Sequence, residues 1–383
     1  MANNDLQEFY AKLFEATRLG RLELPNRIVM APMTRYFSPG GTPGADVAAY
    51  YRRRAEGGAG LIITEGSWIP HPGASNDDNA PRMYGSEALE GWARVVQEVH
   101  AAGGRIMPQL WHVGLTIKPA VNTLGLYENS QLEERQVGPS GMASRMNEPQ
   151  IKLASPMTSR EIDDVIAAYA EAAAAAFKLG FDGVELHAAH GYLIDQFFWH
   201  ETNLRDDIYG GDHGARAKFG AEVVKACKSA TTPDFPVVLR MSQWKLSDFN
   251  AKLAKTADEL SGLLTPLVDA GVDAFHCSQR RFWTPEFEGS DLNLAGWVKK
   301  LTGKATITVG SVGLNVDFFE SLEGAHGEAM ALDRLMEMLD RNDFDFVAVG
   351  RALIGDPAWP IKVKAGDLDT IQQFTPDNLS CLS

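Results

Sequence analysis

The sequence predicts an α/β protein, a (β/α)8 barrel in which one parallel sheet closes on itself. Two observations carry this. Eight short runs rich in Val, Ile and Leu alternate with eight longer amphipathic runs, the pattern of doubly buried strands and their covering helices. The first run also leads into Ala31-Pro32-Met33-Thr34 rather than a G-x-G-x-x-G turn. A doubly wound sheet, the alternative, usually opens with that turn. Such a barrel takes about 250 residues plus insertions, and the chain has 383.

In chain order the predicted strands are 27–30, 61–64, 105–110, 183–187, 237–241, 273–277, 306–309 and 346–349. The predicted helices are 46–56, 87–101, 159–179, 215–230, 256–270, 292–301, 329–340 and 357–365. The helix at 159–179 is the clearest. Thr158 and Glu161 form a capping-box pattern, and Ile162, Val165, Ile166, Tyr169, Ala173 and Phe177 keep helical spacing,. Gly180 follows as its terminator,. The last helix has Pro357 in its first turn,. Residues 14–25 alternate around Leu19-Gly20 and read as a β-hairpin closing the barrel bottom,. Residues 112–157 form a Gly/Pro/Asn/Ser-rich insertion after strand 3, long enough to be a lid or binding loop,. No linker separates two cores, so the expectation is one domain over 1–383.

Composition narrows the function classes. Hydrophobic residues make up 45% and charged residues 22%, and the net charge is −14. An acidic chain with no Lys/Arg run is a poor binder of nucleic acid or anionic membranes. The N-terminus shows no secretory pattern, and no stretch nears 18 uninterrupted apolar residues,. A soluble, cytoplasmic protein is expected. Cys227, Cys277 and Cys381 lie far apart, which argues against a C-x-x-C metal site or a disulfide framework.

Barrel chemistry lies at the C-terminal strand ends. Thr34 and Tyr36 follow strand 1, Glu65-Gly66 strand 2, and Gln109 with Trp111 sit on strand 3. His187, with His190 and Tyr192 just beyond, ends strand 4, and Arg240 ends strand 5. Strands 7 and 8 end at Gly310-Ser311-Val312-Gly313 and Gly350-Arg351. Glycine loops at those two ends suit a phosphate, onto which Arg351 can fork; the alternative is that they only make turns. Gln109, Thr34 and Arg240 suit a planar, hydrogen-bonding heterocycle such as an isoalloxazine; alternatively Arg240 makes a structural ion pair. His187 and His190 can hold a carbonyl or nitro oxygen, and Tyr192 can deliver a proton. The rival reading is a metal-dependent hydrolase or lyase using His187 and His190, with Glu185 as an added carboxylate and Asp195 as an uncertain third ligand. Structural histidines and a non-catalytic phosphate-ligand binder also stay open.

These segments resemble the old yellow enzyme family of FMN-dependent oxidoreductases over roughly residues 13–366. The motifs are NRIVMAPMTRY (26–36), GLIITEG (60–66), MPQLWHVG (107–114), GFDGVELHAAHGYLIDQF (180–197) and NLRDDIYGG (203–211). LRMS (239–242), ITVGSVG (307–313) and VAVGRALIGDP (347–357) complete the set. The resemblance implies FMN at the barrel mouth, with NADPH or NADH as reductant and no metal. Thr34 would contact the flavin near its reactive edge, and the backbone of Ala31, Pro32 and Met33 would line the ring. Gly66 would pack close to it and Gln109 would bond the pyrimidine edge. Arg240 would stabilise the anionic reduced ring, and Gly310, Ser311, Gly350 and Arg351 would hold the phosphate. His187 and His190 would bind the substrate oxygen near Tyr36, and Tyr192 would be the proton donor. The implied activity is ping-pong reduction of activated alkenes such as enones, extending to nitro compounds.

The chain departs from the family pattern at several points. One branch carries Cys where Thr34 stands, yet Tyr36 is that branch's own substrate-side residue. His190 replaces the Asn of many fungal members, Leu115 an Arg, and Asp212 a Ser. Subgroup and oligomeric state are thereby left open, and a homo-oligomer is compatible with the resemblance. Phe282, Trp283 and Phe287 lie in an aromatic loop after strand 6. They either shape the pocket or pack on their own barrel.

Overall fold

The computed structural model describes residues 3–116, 136–143, 146, 148–314 and 332–383. Eight parallel strands close into a barrel in sequence order. They are β1 (Ile28–Met30), β2 (Leu61–Trp68), β3 (Ile106–Trp111), β4 (Val184–His190), β5 (Val237–Lys245), β6 (Ala274–Ser278), β7 (Ala305–Val309) and β8 (Phe346–Val349). The covering helices are α1 (Ala45–Glu56), α2 (Ser86–Ala101), α3 (Ser159–Leu179), α4 (His213–Ser229), α5 (Ala257–Asp269), α6 (Leu294–Thr302), α7 (Asp333–Asp340) and α8 (Trp359–Ala365). Aliphatic runs with β-branched residues fit strands buried on both faces, and nearly every strand position is buried,. Among the described residues no helix is long and apolar enough to cross a membrane.

The predicted boundaries shift where polar residues are buried. β2 runs four residues past the expected Thr64, and β5 runs on to Lys245. The start of the seventh predicted helix, 329–331, lies outside the described residues. α3 has the expected ends. Thr158 Oγ1 accepts from the Glu161 N–H at 3.3 Å, Glu161 Oε2 accepts from the Thr158 N–H at 2.7 Å, and Gly180 is left-handed at φ 85°. Such a cap is worth about 1 kcal/mol. Asp212 plays a comparable part, since its carboxylate caps α4 by accepting from the Ala215 N–H at 2.8 Å.

The hairpin pairs Thr17–Leu19 with Leu22–Leu24. Leu19 and Leu24 are buried with Val29, Leu61, Val238, Ala274 and Phe346 inside the barrel. Arg21 bridges to Asp234 at 3.0 Å, just ahead of β5, so the hairpin sits at the N-terminal end of the strands. Within the insertion, Met142–Ala143 pairs antiparallel with Ile151–Lys152. Residues 117–135, the middle of the expected lid, lie outside the described residues.

Candidate active site

The C-terminal strand ends enclose a cavity of about 670 Å³, within the range of about 300–1,000 Å³ usual for small-molecule sites. Each predicted site residue lines it except Gly66. The backbone explains the exception. Between Ile63 and Gly66, β2 carries an extra residue relative to β3, which puts Gly66 opposite Gln109. A Cβ on Gly66 would stand 2.7 Å from the Trp111 indole. Gly66 is thus small on the side where Trp111 packs on it.

The cavity floor is a polar layer of facing side chains. Gln109 Nε2 donates to Glu185 Oε1 at 2.8 Å, and Glu185 Oε2 lies 2.6 Å from His276 Nδ1. Arg240 is in register with both His187 and His276. Its guanidinium is buried, and Nε has no hydrogen-bond partner among the described residues. Burial lowers its pKa, opposed by the charge of Glu185. An unpartnered buried donor at a cavity wall is costly unless a ligand satisfies it.

One wall is aromatic. His187 and Tyr192 have ring centroids 4.8 Å apart at 80°, and Tyr192 meets Trp111 edge-on at 5.1 Å. His187 and His190 lie 5.2 Å apart. Burial holds both imidazoles well below the usual histidine pKa, reinforced by the positive charge of Arg240. Each is therefore neutral, with one N–H to give. His187 Nδ1 is buried without a partner among the described residues. His190 Nε2 lies 2.8 Å from Ser278 Oγ, and its ring packs on Trp244 at 4.4 Å.

The opposite end holds Gly310, Ser311, Gly350 and Arg351, with Arg351 reaching 3.5 Å from Ser311 Oγ. Arg280 also lines this cavity, its guanidinium over the Phe249 ring. Thr34, Tyr36 and the Ala31-Pro32-Met33 segment form the β1 side. Glu65 anchors that side from behind, accepting from the Arg35 and Tyr36 N–H groups at 3.0 and 3.3 Å.

The metal reading loses its ligands. Glu185 is held by Gln109 and His276, and Asp195 is paired with Lys245 at 2.8 Å. Among the described residues no group of three His, Cys, Asp or Glu side chains could hold a metal ion. Phe282, Trp283 and Phe287 do not line the cavity, and Phe282 and Phe287 pack on Trp283 and Trp297 respectively. Sequence reasoning missed Trp244, Ser278 and Arg280, and the segment around Pro376, Leu379 and Ser380. Arg35 ties that segment down through the Asn378 and Cys381 carbonyls at 2.8 and 2.6 Å.

Known proteins share this architecture. The family model of the NADH:flavin oxidoreductase / NADH oxidase family matches residues 12–369. An NADH oxidase of Thermoanaerobacter brockii is 33% identical over 97% of this chain and 54% of its own length. The chain thus spans about half of some curated relatives it matches. An NADPH dehydrogenase of Bacillus velezensis is 32% identical over 90% of this chain and 92% of its own length. A solved structure of morphinone reductase in complex with tetrahydroNAD superimposes with a TM-score of 0.74 and 30% identity, over 96% of this chain and 93% of that one. The chain belongs to the NADH:flavin oxidoreductase / NADH oxidase family, the old yellow enzyme family of FMN-dependent oxidoreductases.

Proposed function

We propose that this protein is an FMN-dependent NAD(P)H oxidoreductase that reduces activated C=C bonds, in enones and related electron-poor alkenes, and also nitro compounds. The observation that carries this reading is His187 Nδ1, buried and unpartnered among the described residues, beside the Tyr192 ring in a cavity of ligand size. We read residues 1–383 as one FMN-binding barrel unit.

The donor set fits FMN. Arg240 Nε and Gln109 offer hydrogen-bond donors at the floor, and Arg240 adds a permanent cation,. Thr34 and the 31–33 backbone form a wall for a flat ring. Gly310, Ser311, Gly350 and Arg351 supply N–H groups, a hydroxyl and a guanidinium for a phosphate. FMN held there would supply hydride-transfer chemistry between NADH or NADPH and a substrate carbon.

The chain's own residues bind, orient and protonate. Neutral His187 and His190 each direct one N–H toward a carbonyl or nitro oxygen, stabilising the negative charge that develops there. Tyr192 holds the proton for carbon on its phenol oxygen. Tyr36 and Trp244 bound the substrate space beside them. Holding the reactants together in this way lowers the entropic barrier.

The test is direct. Purified protein is expected to be yellow, to release FMN on denaturation, and to consume NADH or NADPH when given enones, maleimides or nitro compounds. A colourless protein that fails to take up FMN overturns the reading.

A further inference from the structure

One buried ion pair lies behind the cavity wall. Lys245 Nζ and Asp195 Oδ1 are 2.8 Å apart, and both side chains are fully shielded from solvent. Lys245 ends β5, and Asp195 lies in a short helix, Leu193–Phe198. Neither residue lines the cavity. Stability alone is a weak reason for such a pair, because desolvating two charges offsets their attraction.

Its other contacts show what it holds. Asp195 Oδ2 accepts from the Gly191 N–H at 2.7 Å. Lys245 Nζ also donates to the Ser242 carbonyl at 3.2 Å. Ser242 Oγ in turn accepts from the His190 N–H at 2.9 Å. The His190 carbonyl accepts from the Leu246 N–H at 3.2 Å, and the Gly191 carbonyl from the Gln196 amide at 2.7 Å. Every backbone polar group of His190 and Gly191 is therefore tied to the end of β5 or to the short helix. The turn needs this. His190 has φ 66° and Gly191 φ 88°, and a left-handed non-glycine residue persists only where its surroundings over-determine it. Burial raises the Asp195 pKa to about 6 and lowers that of Lys245, while each charge opposes the other's shift.

We propose that the Asp195–Lys245 pair is a positioning device for the 190–192 turn. It fixes Gly191, and through Gly191 the directions in which His190 and Tyr192 face the cavity. A carboxylate suits this position because its two oxygens serve two donors on different elements, which one amide oxygen does not. The pair acts through the turn and touches no substrate. Its effect on catalysis rests on the proposed reduction chemistry, whereas its hold on the turn does not.

The experiment compares wild-type holoenzyme with Asp195→Asn and with the double variant Asp195→Leu/Lys245→Met. The double variant replaces both charges by apolar groups, an exchange that often leaves folding intact, and gives Gly191 no acceptor. Three quantities are read: amide hydrogen exchange, turnover with an enone, and turnover with ferricyanide, which takes electrons but no proton on carbon. Exchange at residues 190–192 is expected to quicken by about tenfold or more while the barrel strands stay protected. Enone turnover is expected to fall by about ten- to a hundredfold, with ferricyanide turnover within about twofold of wild type. Unchanged protection at 190–192 in both variants overturns the proposal. So does enone turnover that is unaffected by a loosened turn, or that falls in step with ferricyanide turnover. A wild-type enzyme inert toward enones overturns the proposed function instead, and the exchange rates still decide whether the pair holds the turn.

Discussion

Glu185 and His276 meet inside the barrel, Oε2 to Nδ1 at 2.6 Å, with both side chains fully shielded from solvent. They stand on β4 and β6, and Arg240 on the strand between them is in register with His276. The second carboxylate oxygen takes the Gln109 amide at 2.8 Å. One anion thus gathers donors and positive charge from three other strands beneath the cavity. Replacing Glu185 by Gln leaves one acceptor oxygen where two are needed and removes the charge that opposes the lowering of the Arg240 pKa. The variant is expected to lose about 2–4 kcal/mol of unfolding free energy. Denaturant titration measures this, and an unchanged midpoint counts against the role given to Glu185.

Tyr192→Phe keeps the ring contacts with His187 and Trp111 and removes the phenol oxygen. Alkene turnover is expected to fall by about 10²–10⁴. Flavin reduction by NAD(P)H, followed in a stopped-flow instrument, is expected to stay within about twofold because it needs no proton from this group. Equal loss in both half-reactions would remove Tyr192 from the role of donor.

Gly310 has φ 145°, and a Cβ there would stand 2.3 Å from the Gln279 carbonyl oxygen. Gly310→Ala therefore forces the β7 end away from the segment after β6. The cost in backbone strain alone is about 1–3 kcal/mol, and FMN affinity is expected to fall with it. Fluorescence titration of the apoprotein with FMN reads the second effect, and an unaltered dissociation constant would separate Gly310 from the phosphate end.

Glu65 supplies a pH dependence. Burial raises its pKa from 4.5 to about 7, against the opposing hydrogen bonds from the Arg35 and Tyr36 N–H groups. The folded state therefore holds this proton more tightly than the unfolded state. Its contribution to stability is present in full below pH 4.5 and is lost as pH rises through about 7,. Glu65→Gln stays neutral throughout, so its Tm relative to wild type is expected to rise between those two values. Parallel Tm–pH curves for the two proteins would refute this.

Much of this was legible in the sequence because a barrel sends its chemistry to one set of strand ends. His187, Arg240, Gly310 and Arg351 are each readable from the last residues of an aliphatic run. The misreadings share a cause. The second and fifth predicted strands stop at Thr64 and Met241, short of the polar residues Glu65, Ser67, Ser242, Gln243 and Lys245. They belong to the strands, Lys245 as the last residue of β5, because they are satisfied internally: Glu65 takes the Arg35 and Tyr36 N–H groups, Gln243 accepts from the Leu253 and Ala254 N–H groups, and Lys245 pairs with Asp195. Such partners lie far away in sequence, and no local pattern announces them. Trp111, the neighbour that limits the size of Gly66, likewise stands on another strand, where no local pattern announces it. The segment around Leu379 is held at the cavity from afar, by Arg35 on the Asn378 and Cys381 carbonyls and by Arg53 and Arg54 on those of Leu382 and Ser383.

The Thr17–Leu24 hairpin has a consequence for how such a protein can change. Leu19 and Leu24 are buried against the first residues of several strands, at the end of the barrel remote from the cavity. This apolar contact lies where no cavity residue except Ala31, Val309 and Ala348 takes part. Loops at the mouth can be lengthened, shortened or exchanged while that foundation stays as it is. Grafting foreign loops between β3 and α3, or after β6, is a way of altering what the protein accepts with little change in whether it folds.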